Sequence, residues 1–278
     1  MLSHPNCKIN IGLHVVSKRT DGYHNLETIF YPVPLCDELE INPIQSSTVF
    51  QLEGIALDGS PDDNLCMRAY RLLRNDYPNR VGQVSMRLHK NIPFGAGLGG
   101  GSSDAAFVLK MLNELFHLEL SHEQLCAYAA RLGADCAFFI DNRPAFATGI
   151  GDCLSPVSLS LNDYVLVLIK PDDAVSTREA YSGVIPRDRR QLLLQQDLLS
   201  CIQRPIKEWV TCVENDFEQS VFATHPTIAH WKQWLYDAGA IYAAMSGSGA
   251  TVYGIFNQAL KPRLQQLLFE VPCFNAIF

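Results

Sequence analysis

Between residues 95 and 101 the chain sets five glycines in seven positions, Gly95-Ala96-Gly97-Leu98-Gly99-Gly100-Gly101. Upstream, Val84, Met86 and Leu88 alternate with Ser85, Arg87 and His89, the period of a half-buried strand. From Ser103 onward Val108, Leu109, Leu112, Leu115 and Phe116 fall on one helical stripe. A strand, a glycine turn and a helix in that order make an anion cradle. Glycine lets backbone amides approach phosphate oxygens with no side chain in the way, and the helix N-terminus adds a favourable dipole. The plain alternative is a flexible or tight turn, which rarely needs so many glycines. Hydroxyls at the helix start, Ser102 and Ser103, suit phosphate or magnesium, and Asp104 either faces a metal or caps the helix.

Gly95 to Gly100 also satisfies the dinucleotide pattern GxGxxG, so spacing alone is ambiguous. A dinucleotide unit should continue into a second parallel strand ending in an acid about 20 residues on. Here a second helix from Ser121 to Leu132 occupies that place, opened by a Ser121/Gln124 capping box and ending near Gly133. A Walker A loop is excluded because no Lys-Ser or Lys-Thr follows the glycines.

With 278 residues, 47% hydrophobic and 18% charged, the chain has the make-up of a globular protein of two domains, divided near Pro156 into 1–155 and 156–278. A net charge of -7 argues against nonspecific nucleic-acid and anionic-membrane binding, which draw on clustered Lys and Arg. The densest basic group, Arg187 with Arg189 and Arg190, reads as a solvated loop. Nine cysteines without a CxxC pair suggest reduced thiols in the cytosol, several of them core residues. The absence of HExxH and of a tight Cys/His cluster leaves a dedicated metal site unsupported. Residues 1–10 lack an apolar leader, and the run Tyr164 to Ile169, a buried-strand candidate, is too short to span a bilayer.

Ile9 to Ser17 and Asn25 to Tyr31 read as strands around the turn signal Asp21-Gly22, with Tyr23 and His24 just past it. The Asp/Asn cluster ending at Asn64 predicts the start of a helix carrying Leu65, Ala69, Leu72 and Leu73. Ile228, Trp231, Leu235 and Ala238 make another helical stripe, and Leu260, Leu264, Leu267 and Leu268 a closing helix. Asp135 sits in an apolar neighbourhood after a helix end, which suits a base, although a turn Asp is the commoner meaning of such a residue. Lys8, within apolar Cys7 to Leu13, is a partner for it or an ordinary strand-edge lysine. Ser246-Gly247-Ser248-Gly249 is a loop with inward amides or a hairpin turn. Tyr23, His24 and Tyr181 are weak signals singly.

Three segments in order, around Lys8, Gly95 to Ser103 and Ser246, make the chain resemble the GHMP kinases, the family of galactokinase, homoserine kinase, mevalonate kinase and phosphomevalonate kinase. Lys8-Ile9-Asn10, Asp21-Gly22-Tyr23-His24, Pro93 to Ala106, Leu132-Gly133-Ala134-Asp135 and Ala147-Thr148-Gly149 narrow it to members that phosphorylate an alcohol borne on a cytidine diphosphate. The resemblance implies a two-domain α+β fold: an N-terminal α/β domain with a ribosomal-S5-like arrangement that holds ATP, a C-terminal ferredoxin-like domain, and a cleft for the substrate. It implies ATP and Mg2+ as cofactors; the charge balance and reduced thiols point to a cytoplasmic chain with no nucleic-acid or membrane partner, expected as a monomer or weak homodimer. By the same resemblance Asp135 accepts the proton of the substrate hydroxyl and Lys8 holds Asp135 ionised. Pro93, Gly95, Ala96, Gly97, Leu98, Gly99, Gly100, Gly101, Ser102 and Ser103 line the ATP phosphates, and Asn64 lies near the adenine. Tyr23, His24 and Tyr181 recognise the cytosine, while Asn10 and Thr177 hold the substrate. A different acceptor alcohol, or a silent nucleotide-binding relative, is the alternative.

Overall fold

The computed structural model describes residues 1–55, 63–187 and 197–278. In chain order its strands are β1 (Leu2–Ser3), β2 (Asn6–Lys18), β3 (His24–Cys36), β4 (Glu38–Ile44), β5 (Val49–Gly54), β6 (Gln83–Lys90), β7 (Ala145–Thr148), β8 (Cys153–Pro156), β9 (Tyr164–Lys170), β10 (Tyr242–Met245), β11 (Val252–Asn257) and β12 (Phe274–Ile277). The helices are α1 (Leu65–Asp76), α2 (Gly100–Leu115), α3 (His122–Ala130), α4 (Phe138–Asp141), α5 (Thr177–Gly183), α6 (Leu198–Ile202), α7 (Phe217–Thr224), α8 (Pro226–Asp237) and α9 (Lys261–Phe269). The fold is α+β. Two compact units interleave along the chain: Met1–Lys8, Pro32–Phe94 and Gly99–Arg143 form the first, and Ile9–Tyr31, Gly95–Leu98 and Pro144–Phe278 the second. A single cut near Pro156 does not describe this division, because β2, β3 and the glycine segment each give residues to both.

The first unit is built on a sheet of order β1-β4-β6-β5, in which β5 and β6 run parallel and α1 lies between them in sequence. Asn64 caps α1 by accepting a hydrogen bond from the Cys66 amide at 2.9 Å, and the helix buries Cys66, Met67, Ala69, Tyr70 and Leu73. Along β6 every second residue is buried, and the series Val84, Met86, Leu88 ends on Lys90. Helix α2 begins at Gly100, three residues before the expected Ser103. Gly99, at φ 69°, is its left-handed cap residue, and a conformation open to glycine is what lets the loop turn into the helix there. The Ser121/Gln124 capping box is formed at the head of α3.

The second unit holds two sheets, β2-β3-β7-β8 and β10-β11-β9-β12. Counted from β9, the latter has order 4-1-3-2 with antiparallel neighbours, and its helices are inserted after its first and third strands, which is the ferredoxin-like plan. Its core joins Val165, Val167 and Ile169 to Phe217, Ile228, Leu235, Phe256 and Leu264, and Leu13 and Val15 of β2 are buried in the same cluster. That burial explains why residues 9–31 belong with the C-terminal half.

Arg187 corrects the solvated-loop expectation. Its guanidinium donates to both oxygens of Asp216, at 3.0 and 2.9 Å from Nε, and to Glu214 at 3.0 Å. Asp216 also accepts the Val15 amide at 2.7 Å, so a largely enclosed carboxylate is matched by a cation. Arg189 and Arg190 lie outside the described residues. Six of the described strands were not foreseen: β1, β4, β5 and β7, then β8, which occupies part of the polar stretch before β9 with Pro156 at a strand end where no ladder donor is required, and β12, which follows the last helix. Among the described residues no helix is long and apolar enough to cross a membrane.

Candidate active site

In the first unit Lys8 lies on a stretch of β2 that is buried from Asn6 to Val15. Its side chain is only 4% exposed, and Nζ stands 3.3 Å from Asp135 Oδ2. A buried ammonium needs a compensating charge, and Asp135 provides it. Asp135 lies in a short 3-10 turn, Ala134–Cys136, after α3, with about a third of its side chain open (32%). The carboxylate therefore has a cation on one side and access for a ligand on the other.

The head of α2 comes to the same place. A Cβ built on Gly99 would sit 3.1 Å from Lys8 Cε, so the glycine cap packs directly on the lysine stem. Ser102 lies near the Cys136 thiol, next to Asp135. Burial, the dominant cause, pushes that thiol up to about 11, with Asp135 adding to the rise and Ser102 opposing it. The amides of Gly100, Gly101 and Ser102 fall in the first turn, where no helical carbonyl precedes them. Ser103 differs: its amide is spent on Gly99 O at 2.9 Å, and its hydroxyl is enclosed without a hydrogen-bond partner among the described residues. Pro93 is buried and Gly95 exposed.

Asp104 neither caps α2 nor faces outward. It is buried against Lys90, Nζ to Oδ2 2.7 Å, and Lys90 also pairs with Asp37. Burial, with Asp37 beside it, raises the Asp104 carboxyl against the opposing pull of Lys90.

The second unit carries the remaining candidates. Asn10 donates through Nδ2 to Thr28 at 3.0 Å and through its amide to Ser246 Oγ at 3.1 Å. Ser246 Oγ in turn donates to Gly97 O at 2.9 Å, and the Thr251 amide reaches Ala96 O at 3.3 Å. The segment 246–249 is indeed the turn of the β10-β11 hairpin, and it also supports Gly95–Leu98. Asn215 steadies the turn, donating to Met245 O at 2.8 Å and Gly247 O at 2.9 Å. His24 opens β3 and stacks on Tyr181 with ring centroids 4.8 Å apart and 21° between planes; Tyr181 meets Phe217 edge-on. Partial burial, then Lys18, holds the His24 imidazole below its usual range. Tyr23 is 62% exposed beside it. Thr177 begins α5, four residues before Tyr181 on the same helix, and is exposed.

Comparison with known proteins matches residues 64–149 to the GHMP kinases N terminal domain and residues 198–268 to the GHMP kinases C terminal domain. A 4-diphosphocytidyl-2-C-methyl-D-erythritol kinase of Bacteroides fragilis is 51% identical over 279 residues, covering 99% of this chain and 98% of its own. The chain belongs to the GHMP kinase family. A crystal structure of 4-(cytidine 5'-diphospho)-2C-methyl-D-erythritol kinase superposes with a TM-score of 0.81 at 30% identity, covering 100% of this chain and 98% of the other. Mevalonate kinase of Methanococcus jannaschii shares the fold alone, with a TM-score of 0.70 at 14% identity over 100% of this chain and 96% of its own. As a member of this family the protein is an ATP-dependent kinase of a small molecule.

Sequence reasoning did not single out Thr28, Asn215, Asp37 or Lys90. For Lys90 the signal was present, since the alternation through Val84, Met86 and Leu88 places it on the buried face. Asp37 and Asn215 gave none, because each acts on backbone groups distant in sequence.

Proposed function

We propose that this chain transfers the γ-phosphoryl group of ATP to the 2-hydroxyl of 4-diphosphocytidyl-2-C-methyl-D-erythritol, a step in the non-mevalonate route to isoprenoid precursors. The observation that carries the reading is the Lys8–Asp135 pair at 3.3 Å beside the first turn of α2, on a chain 51% identical to a relative of that name. Asp135 receives the hydroxyl proton as the oxygen attacks the γ-phosphorus, the bond to the β-phosphate oxygen breaks, and ADP departs. Lys8 sets its ammonium beside the Asp135 carboxylate and sits where the hydroxyl is oriented. Phosphoryl transfer asks a protein chiefly for positioning and charge stabilisation, which this set of residues supplies.

The glycine segment takes the phosphates on its amides, and Asn64, at the head of α1, lies toward the adenine. Mg2+ bound with ATP would neutralise phosphate charge. Of the candidate groups, half-buried Ser102 fits it, whereas Ser103 and Asp104 are turned into the interior. His24, Tyr181 and Tyr23 bind the planar cytosine by ring faces and hydrogen bonds, and Asn10 and Thr177 hold the rest of the substrate.

ADP release with Mg-ATP should appear with the cytidyl alcohol and not with mevalonate, homoserine or galactose. Release with one of the other acceptors instead would keep the kinase and overturn the substrate. His24→Ala should raise the KM for the cytidyl substrate while leaving that for ATP in place, and an unchanged acceptor KM would remove His24 from recognition.

A further inference from the structure

Lys90, Asp37 and Asp104 are each at most 3% exposed and lie on three separate pieces of the first unit: the end of β6, the turn between β3 and β4, and the first turns of α2. Lys90 Nζ bridges the two carboxylates, reaching Asp104 Oδ2 at 2.7 Å. The other oxygen of Asp37 accepts the Asn91 amide at 2.6 Å and the Ile92 amide at 2.8 Å. Residues 91–92 lead into the glycine segment and Asp104 follows it, so one buried cluster grips both of its ends. The ends also touch: a Cβ on Gly100 would lie 2.9 Å from Ile92 and 3.4 Å from Lys90 Nζ.

Buried ion clusters are poor stabilisers, since desolvation consumes most of what the charges gain by pairing, and apolar replacements of like volume are commonly as stable. Geometry is the better account of this one. A glycine-rich loop loses more conformational freedom on ordering than any other, and if nothing orders it beforehand the cost falls on the ligand.

We propose that Asp37, Lys90 and Asp104 are positioning residues for nucleotide binding: they clamp the two ends of the glycine segment so that its amides are ordered before ATP arrives, an inference that rests on the assignment of that segment to the ATP phosphates. The clamp touches neither nucleotide nor acceptor. Its loss weakens ATP binding and leaves the phosphoryl-transfer step and acceptor binding in place.

The test is Lys90→Met, together with the charge-free triple variant Asp37→Asn, Lys90→Met, Asp104→Leu, which leaves no unpaired buried ion. A correctly folded variant should show a KM for ATP raised about tenfold or more, with kcat and acceptor KM within about threefold of the parent. Titration calorimetry with a non-hydrolysable ATP analogue should show the same loss, and amide exchange over 95–103 should be faster in the ligand-free variant. Asp104→Asn, which keeps an oxygen for Lys90, should recover most of the affinity. Unchanged ATP affinity and exchange in the folded triple variant would overturn the clamp. A kcat and both KM values that deteriorate together with Tm would also overturn it, as a merely structural role. Gly97→Ala separates the two layers: normal ATP affinity there would sink the phosphate assignment itself, whereas lost affinity there with normal affinity in the triple variant would sink only the clamp.

Discussion

Among single residues Asp135 has the most chemistry resting on it. Its carboxylate lies 3.3 Å from Lys8 Nζ and about a third of its side chain (32%) is open. Asp135→Asn preserves shape and a hydrogen-bonding oxygen but removes the charge that receives or directs the proton. kcat should fall by about 10²- to 10⁴-fold, the range of general-base contributions, with both KM values nearly unchanged. Steady-state kinetics at saturating Mg-ATP reads this directly, and turnover near the parent level would remove Asp135 from the reaction. The motif residues were legible because each lies in a short local pattern. Their partners were not: Asn215 fixes Met245 and Gly247 from 30 and 32 residues away, and Asp37 holds amides 54 and 55 residues on. Nothing local in the sequence marks a side chain whose hydrogen-bond partners are that distant.

Among elements, the two glycine segments show what the pattern alone leaves undecided. Gly95 and Gly97 both have positive φ, 60° and 74°, and look equivalent in sequence. A Cβ on Gly95 would meet nothing within 4 Å, whereas one on Gly97 would stand 2.0 Å from the Ser246 carbonyl oxygen. Gly95→Ala therefore pays only the left-handed backbone cost, about 1 to 2 kcal/mol spread over a flexible turn. Gly97→Ala must in addition part the turn at 246–249 from the glycine segment, breaking the Ser246 to Gly97 bond. ATP affinity should be nearly intact in Gly95→Ala and reduced at least about tenfold in Gly97→Ala. Equal losses in both would mean that backbone strain, and not the packed turn, sets the affinity. Helices were the most readable elements, because capping at Asn64 and Ser121 and the apolar stripes are local signals. Strands β5, β8 and β12 were not, since short or exposed strands take their form from the neighbour that pairs with them.

For the whole molecule the ferredoxin-like half was foreshadowed by the family resemblance, but the interleaving of the two units was not, because it depends on β2 adding Leu13 and Val15 to a C-terminal core. The same strand carries His14 into the interior of the second unit. His14 is 2% exposed, its Nε2 has no hydrogen-bond partner among the described residues, and it lies near Arg187 and Asp216. Burial first, then Arg187, lowers its pKa from 6.5 to about 4, with Asp216 opposing. A lowered histidine is neutral in the folded chain where the unfolded chain already binds a proton. Stability from this group is thus complete above about 6.5 and is lost as the pH falls from there toward 4, by on the order of 3 kcal/mol at most. His14→Gln replaces the ring with a polar group that does not titrate. Urea unfolding at pH 7, 5.5 and 4.5 should show the parent losing midpoint steeply across that window, and His14→Gln losing distinctly less even if it starts lower at pH 7. Parallel losses would assign the acid sensitivity to groups other than His14 and would leave His14 as packing alone.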